Sequence, residues 1–314
     1  MPIEKGQPMS HHKTRFVALL VMFIAVSLTA SIALRLPAHA SPIAQTKRRP
    51  AAPASLRLYV FDCGKLKISD TSVYGFAPNE VATTEMSVPC FLVAHPKGTL
   101  LWDAGVLPDK VLTSAGSVTQ GNPGSSALAT VNKSLKAQLA EAGYAPADIT
   151  YLALSHCHWD HVANANDFAA ATWFVRQPER DAMFSQPASF ARCLTPQTFS
   201  ALRNSKTVIL KDDEHDVFGD GTVILKSAPG HTPGHQVLFL KLRNAGPIVL
   251  SGDLYHYPEE RAQHKVPKTD FNREQTAASR DAIEAFLKKT GAQLWIQHDS
   301  IGNSKLKKAP AFYD

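Results

Sequence analysis

The chain has 314 residues, 44% of them hydrophobic and 19% charged, which supplies a sizeable core and excludes a disordered or low-complexity class. The net charge is +6, and Lys5, Lys13, Arg15 and Arg35 against Glu4 carry half of it within the first forty residues. The surplus left on the rest of the chain is too small for a nucleic-acid surface.

The basic run at residues 11–15, the apolar run from Phe16 to Leu34 and the small-residue pattern ending at Ala38 and Ala40 have the layout of a secretory signal. The apolar run also approaches the length that spans a bilayer, so a retained anchor is the alternative. Residues 1–40 are therefore read as targeting, residues 41–55 as a Pro/Ala/basic linker, and residues 56–314 as the folded domain. Either fate of the signal places that domain outside the cytoplasm, in the periplasm or secreted, with no membrane contact beyond the N-terminal segment. Four cysteines are present, and export permits disulfides. Cys63 ends one strand-like run and Cys90 lies in another, so a bridge between them is admissible if those strands are neighbours. No Cys-x-x-Cys pair occurs, which argues against a cysteine zinc site.

Within the domain, "LRLYVFDC", "VPCFLVAH" and "TLLWDAG" read as strands, with "PKG" as a turn. Residues 113–126 read as a polar, Gly-rich loop. "ALATVNKSLKAQLAEAGY" has helical spacing, with Gly143 suited to the C-terminal cap. "ITYLALS" and "ATWFVRQ" are strands, and residues 184–200 are irregular. "KTVILK", "TVILKSAP", "HQVLFLKL" and "PIVLSGD" follow as strands in quick succession, with His215 in a solvated turn before the second of them. "REQTAASRDAIEAFLKKTG" is a helix, and "AQLWIQHD" is the last strand. Two strand-rich halves with outer helices imply layered α/β packing.

The chemistry concentrates at strand ends. "SHCHWDH" places His156, His158, Asp160 and His161 within six residues, directly after an apolar strand. Imidazoles and a carboxylate suit zinc, with iron, manganese or cobalt admissible on the same ligands. A chance polar loop would explain one histidine pair, but four such groups closing a buried strand are costly without a partner. His231 in "SAPGHTPGH", Asp253 in "IVLSGD" and His298 in "LWIQHD" each lie just past a further apolar run. Their repetition suggests that several strand ends converge on one edge. His235 competes with His231 and is expected to support a ligand rather than be one. His256 and His264 fall outside these patterns.

On these motifs the chain resembles the metallo-β-lactamase superfamily over residues 56–314. The resemblance implies an αββα sandwich of two mixed sheets with outer helices and a dinuclear site between the sheets. It gives His156, His158 and His231 to one zinc ion, Asp160, His161 and His298 to a second, and Asp253 to both. It further implies a hydrolase in which a metal-activated hydroxide attacks a carbonyl, with Asp160 orienting it or moving its proton. The flanks "LYVFDCG", "VPCFLVAHPKGTLLWDAG" and "KKAPAFYD" are similar to the N-acyl-homoserine lactonase branch, which implies a small-molecule lactone substrate and a quorum-quenching role. That branch commonly carries a tyrosine three residues past the bridging aspartate, to hold the lactone carbonyl. Here that position is His256, and Tyr255 is the nominated catalytic partner, with Tyr257 on the other side. Another hydrolase on the same site (a β-lactamase, thioesterase or broad esterase) is the alternative. A metal-binding module without turnover is the third reading. "GNPGSS" does not match a phosphate loop, and there is no dinucleotide fingerprint. Acyl-chain preference and oligomeric state are not readable from sequence.

Overall fold

The structure is a computed structural model, and it describes residues 50–112, 116–121, 127–184 and 192–314. The targeting segment and most of the linker lie outside the described residues, as do residues 113–115, 122–126 and 185–191 of the two expected irregular regions. No helix among the described residues is long and apolar enough to cross a membrane.

The first sheet is built from β1 (Arg57–Ile68), β2 (Glu85–His95), β3 (Gly98–Trp102), β4 (Val118–Gly121), β5 (Ala127–Val131), β6 (Tyr151–Ala153), β7 (Thr172–Arg176) and β8 (Thr207–Leu210). The second contains β9 (Glu214–Asp216), β10 (Val223–Ser227), β11 (Gln236–Leu242), β12 (Gly246–Leu250) and β13 (Gln293–Trp295), and β14 (Phe312–Tyr313) returns to pair with β1. Strand order is β4-β5-β1-β2-β3-β6-β7-β8 in the first sheet and β13-β12-β11-β10-β9 in the second. Both are mixed: β3, β6, β7 and β8 run parallel, as do β12 and β13, and the other pairs are antiparallel.

Strand alternation gives each sheet two apolar faces. Phe91 and Val93 of β2 point between the sheets, where they join Leu238, Leu240 and Leu242 of β11. Cys90, Leu92 and Ala94 point the other way, into a core that continues to Leu139 of α1 (Leu135–Glu141). Short helices α2 (Trp159–Val162), α3 (Gln177–Phe184), α4 (Pro196–Phe199) and α5 (Pro258–Gln263) occupy the connections. On the far side of the second sheet, Val237 and Phe239 meet Ile283 and Leu287 of α6 (Arg273–Thr290). Burying each of those two helix residues contributes roughly 1.5–3 kcal/mol. The layers are therefore helix, sheet, sheet, helix, with α7 (Ser300–Ser304) near the C-terminal end of the chain.

The expected helix from Ala127 onward is corrected. Residues 127–131 form β5, with Ala127, Ala129 and Val131 buried and Leu128 exposed. Alanine fits either element, so the period-2 burial of this run was hidden by good helix formers downstream. The helix starts only at Leu135, where the Ser134 hydroxyl accepts from the Ala137 N–H and the Asp109 carboxylate accepts from the Leu135 and Lys136 N–H groups. Val118–Gly121, within the expected loop, is strand β4. His215 is in β9 rather than a turn, half-buried with its ring on Phe174, and burial lowers its pKa. Cys63 and Cys90 are bonded, and so are Cys157 and Cys193.

Candidate metal centre

The parallel pairing of β3 with β6 carries the chain twice to the same sheet edge. Past β3 comes Asp103, buried, with φ +59°. Past β6 comes the segment Ser155–His161. The Asp103 carboxylate accepts from the Ser155 N–H at 2.7 Å and the Ser155 hydroxyl at 3.0 Å, and lies 2.9 Å from His161 Nδ1. Gln297 Nε2 donates to it at 2.7 Å. Asp103 thus ties the first motif to the segment that bears His298.

The β10–β11 connection delivers His231, whose Nδ1 faces Asp270 Oδ1 at 2.8 Å. The other Asp270 oxygen accepts from the Thr276 hydroxyl on α6. Gly230, at φ +132°, lets this loop press on α6: a Cβ there would stand 2.2 Å from the Thr276 nitrogen. Asp253 follows β12, and His298 follows β13, its parallel neighbour. His298 Nδ1 donates to the Ser87 carbonyl at 2.8 Å. His235 uses both ring nitrogens within the fold. Nδ1 donates to the Ala228 carbonyl and Nε2 accepts from the Asp253 N–H, each at 2.9 Å. Burial drops its pKa to about 3.

The structure brings His156, His158, His231 and Asp253 into one group, and Asp160, His161, Asp253 and His298 into a second. Within each group, the nearest donor atoms all lie within 4.8 Å of one another. Asp253 faces both. Its Oδ1 is 3.1 Å from His161 Nε2 and 3.1 Å from His298 Nε2, while its Oδ2 is 3.5 Å from His156 Nε2 and 3.4 Å from His231 Nε2. His156 Nε2, His161 Nε2 and Asp253 Oδ1 are buried without a hydrogen-bond partner. Orphaned inward-facing donors whose opposite ring nitrogens are held from behind fit two divalent cations.

The electrostatics agree with a cation-binding cluster. Burial lowers the His156 and His158 pKa values well below the usual histidine range, which leaves neutral imidazoles. Burial works against ionised Asp253, but the rings of His161, His298 and His156 hold it well below the carboxylate range. Burial also opposes a charged His161, yet Asp253 and Asp103 raise it well above the usual value. There a proton stands where a cation would take its place.

Tyr255 is not brought to this cluster. Its backbone is extended (φ −140°, ψ 137°), so its side chain points away from that of the next residue. The hydroxyl donates to Glu284 of α6 at 3.1 Å, and the ring lies against Arg280, 4.3 Å away. His256, outside the sequence patterns, is the residue that turns inward. Its Nε2 is 3.3 Å from Asp253 Oδ2, and its Nδ1 is 3.2 Å from Glu260, a buried carboxylate paired with Arg280. Burial opposes a charged ring, but Glu260 and Asp253 bring His256 up to about 10. Tyr257 packs on Tyr74 and Phe76.

Above the two groups is a cavity whose walls include Leu66, Ile68, Tyr74, Trp159, Arg192 and Leu194. The Cys157–Cys193 disulfide joins the segment between His156 and His158 to the one that bears Arg192 and Leu194. Glu179 braces the site from beneath. One carboxylate oxygen accepts from the Cys157 N–H, and the other accepts from the Thr232 hydroxyl and the Gly234 N–H. Sequence reading passed over Asp103, Asp270, Glu179 and Glu260. Only Asp103 carried a signal, as an acidic residue directly after an apolar strand.

The Metallo-beta-lactamase superfamily profile matches residues 83–298. The N-acyl homoserine lactonase AttM of Azorhizobium caulinodans is 29% identical over 263 residues, covering 82% of this chain and 99% of that relative. The N-acyl homoserine lactonase AiiA of Bacillus thuringiensis subsp. kurstaki is 26% identical over 246 residues, covering 77% and 93%. Among solved structures, a point mutant of B. thuringiensis AiiA with N-decanoyl-L-homoserine bound at its active site superposes with a TM-score of 0.67 at 24% identity, covering 82% of this chain and 98% of that one. The dizinc quorum-quenching lactonase AidC superposes at 0.57 with 18% identity, covering 82% and 94%. Both superpositions speak to the fold.

Proposed function

We propose that this chain, which belongs to the metallo-beta-lactamase superfamily and is a metal-dependent hydrolase of ester bonds, opens the ring of N-acyl homoserine lactones with two zinc ions. The observation that carries the reading is Asp253, which turns one oxygen to each of two buried donor groups beneath a partly apolar cavity. His156, His158 and His231 would hold one ion, Asp160, His161 and His298 the other, and Asp253 both. When bound, the pair supplies an activated water at neutral pH and a Lewis acid for the carbonyl.

The side chains do the rest. Asp160 lines the cavity, its Oδ2 3.5 Å from His298 Nε2, and is placed to take a proton and pass it to the leaving oxygen of the ring. Leu66, Ile68 and Leu194 offer an apolar wall to an acyl chain. The two disulfides support work in an oxidising compartment, in line with the export signal read from sequence. His256 stands where the lactonase pattern has a tyrosine, and this favours one second reading: a broader hydrolase of carboxylic esters.

The test is acid release from N-hexanoyl-homoserine lactone in a pH-stat, with zinc-loaded protein from Ser41 onward. Turnover that is lost on chelation and restored by zinc is expected. Two bound metals with no lactone turnover would overturn the lactonase reading and leave the ester one.

A further inference from the structure

We propose that Tyr74 is a further catalytic residue of this site, whose phenol donates a hydrogen bond to the carbonyl oxygen of the substrate as negative charge grows there. The inference rests on the ester-hydrolase reading above and adds a residue that neither the sequence motifs nor the comparisons assign.

Neither tyrosine after Asp253 lines the cavity: Tyr255 bonds to Glu284, and Tyr257, whose buried hydroxyl also lacks a partner, is in the outer core of the first sheet. Tyr74 comes from a different part of the chain, the single 3-10 turn Thr71–Tyr74 between β1 and β2. It lines the same cavity as His158, Asp160, His231, Asp253 and His298. Its ring is seated by His256, with centroids 4.8 Å apart, and by Tyr257 in an edge contact at 5.4 Å. His256 Nε2 is in turn 3.3 Å from Asp253 Oδ2, so the ring stands beside the metal donors. Among the described residues the Tyr74 hydroxyl has no hydrogen-bond partner. A phenol on a cavity wall with its ring packed and its O–H unused is a donor waiting for a ligand.

The turn that carries it is braced by hydrogen bonds. The Asp70 carboxylate accepts from the Ser72 N–H at 2.8 Å, and the Gly75 N–H closes on the Ser72 carbonyl with Gly75 at φ +86°. The Thr71 hydroxyl and the Phe76 N–H complete the loop, and the Lys268 N–H donates to the Val73 carbonyl. Through Lys268 the turn is linked to the segment that carries Asp270, the support of His231. Donors held before the reaction begins need no reorganisation during it. Burial, with the charges of Asp160 and Asp253 nearby, raises the phenol pKa well above its usual value. As a hydrogen-bond donor Tyr74 polarises the carbonyl without giving its proton up.

The experiment uses zinc-loaded parent and Tyr74→Phe with two substrates, N-hexanoyl-homoserine lactone and p-nitrophenyl acetate. Phenylalanine keeps the ring contacts, so metal content and the urea midpoint should match the parent. The expected result is a fall in kcat of roughly 100-fold on whichever substrate the parent hydrolyses, with a smaller change in KM and an unaltered shape of the pH profile. A kcat within twofold of the parent overturns the assignment. Parent turnover of the acetate but not the lactone would refute the lactonase reading alone, and the Tyr74 comparison would still be decided on the acetate. A parent that hydrolyses neither refutes the ester-hydrolase reading, and the Tyr74 assignment falls with it.

Discussion

Removing the Glu179 carboxylate should loosen both loops that carry the candidate ligands at once. Glu179 is on α3, away from the cavity, yet it accepts three bonds of 2.8 Å from the loops of His156/His158 and His231. The fit is close: a Cβ on Gly234 would lie 2.6 Å from the Glu179 nitrogen. In Glu179→Gln the amide oxygen can keep the Thr232 and Gly234 donors. The NH2 group must then face the Cys157 N–H, which leaves a buried donor unsatisfied at a cost of about 2 kcal/mol. Glu179→Ala strands three donors and opens a void, for about twice that loss. Against a total stability of about 5–15 kcal/mol either change is large. Urea unfolding of metal-free protein measures it, and zinc retention against a chelator should weaken by about 10- to 100-fold alongside. A glutamine variant within about 0.5 kcal/mol of the parent, or an alanine variant milder than glutamine, would refute the reasoning.

Tyr255→Phe, which loses only the bond to Glu284, should keep kcat/KM within about twofold and lose about 1 kcal/mol or less of stability; a large fall in kcat would return Tyr255 to the site. Asp253→Asn should release both ions, since one carboxylate faces both groups; retention of two ions per chain by mass spectrometry would count against a shared ligand. Cation affinity should rise with pH. Burial disfavours protonated His161, but Asp253 and Asp103 outweigh it and raise its pKa above the ordinary 6.5. The metal-free fold therefore holds that attraction fully below 6.5 and loses it as pH rises through the raised value, where a cation no longer has to displace the proton. Titration calorimetry in buffers of different ionisation enthalpy should show proton release on zinc binding near pH 7, and no release would contradict the assigned direction.

The clustering of the His and Asp side chains was legible because each closes an apolar strand, and parallel pairing of β3 with β6 and of β12 with β13 turns that local pattern into a shared edge. What holds them was not legible. Asp103 lies 58 residues before His161, and Asp270 lies 39 after His231; Glu179 joins two loops that a chain-local reading treats separately. No spacing rule connects such residues, since each is an ordinary surface type until the fold buries it. The same holds for Cys157–Cys193, because cysteine positions do not fix connectivity. Tyr255 failed for a different reason. Past Asp253 the backbone turns extended, and there one residue of offset decides whether a side chain meets the cavity or α6. His256 takes the inward face, and Glu260, four residues on, holds it with the help of Arg280. A site built from strand ends thus takes its ligands from what sequence reads well, and their orientation from distant carboxylates that it reads poorly. Asp103, Asp270 and Glu179 should consequently govern how tightly the ions are held, while Tyr74 and His256, which face the cavity, govern what is done with them.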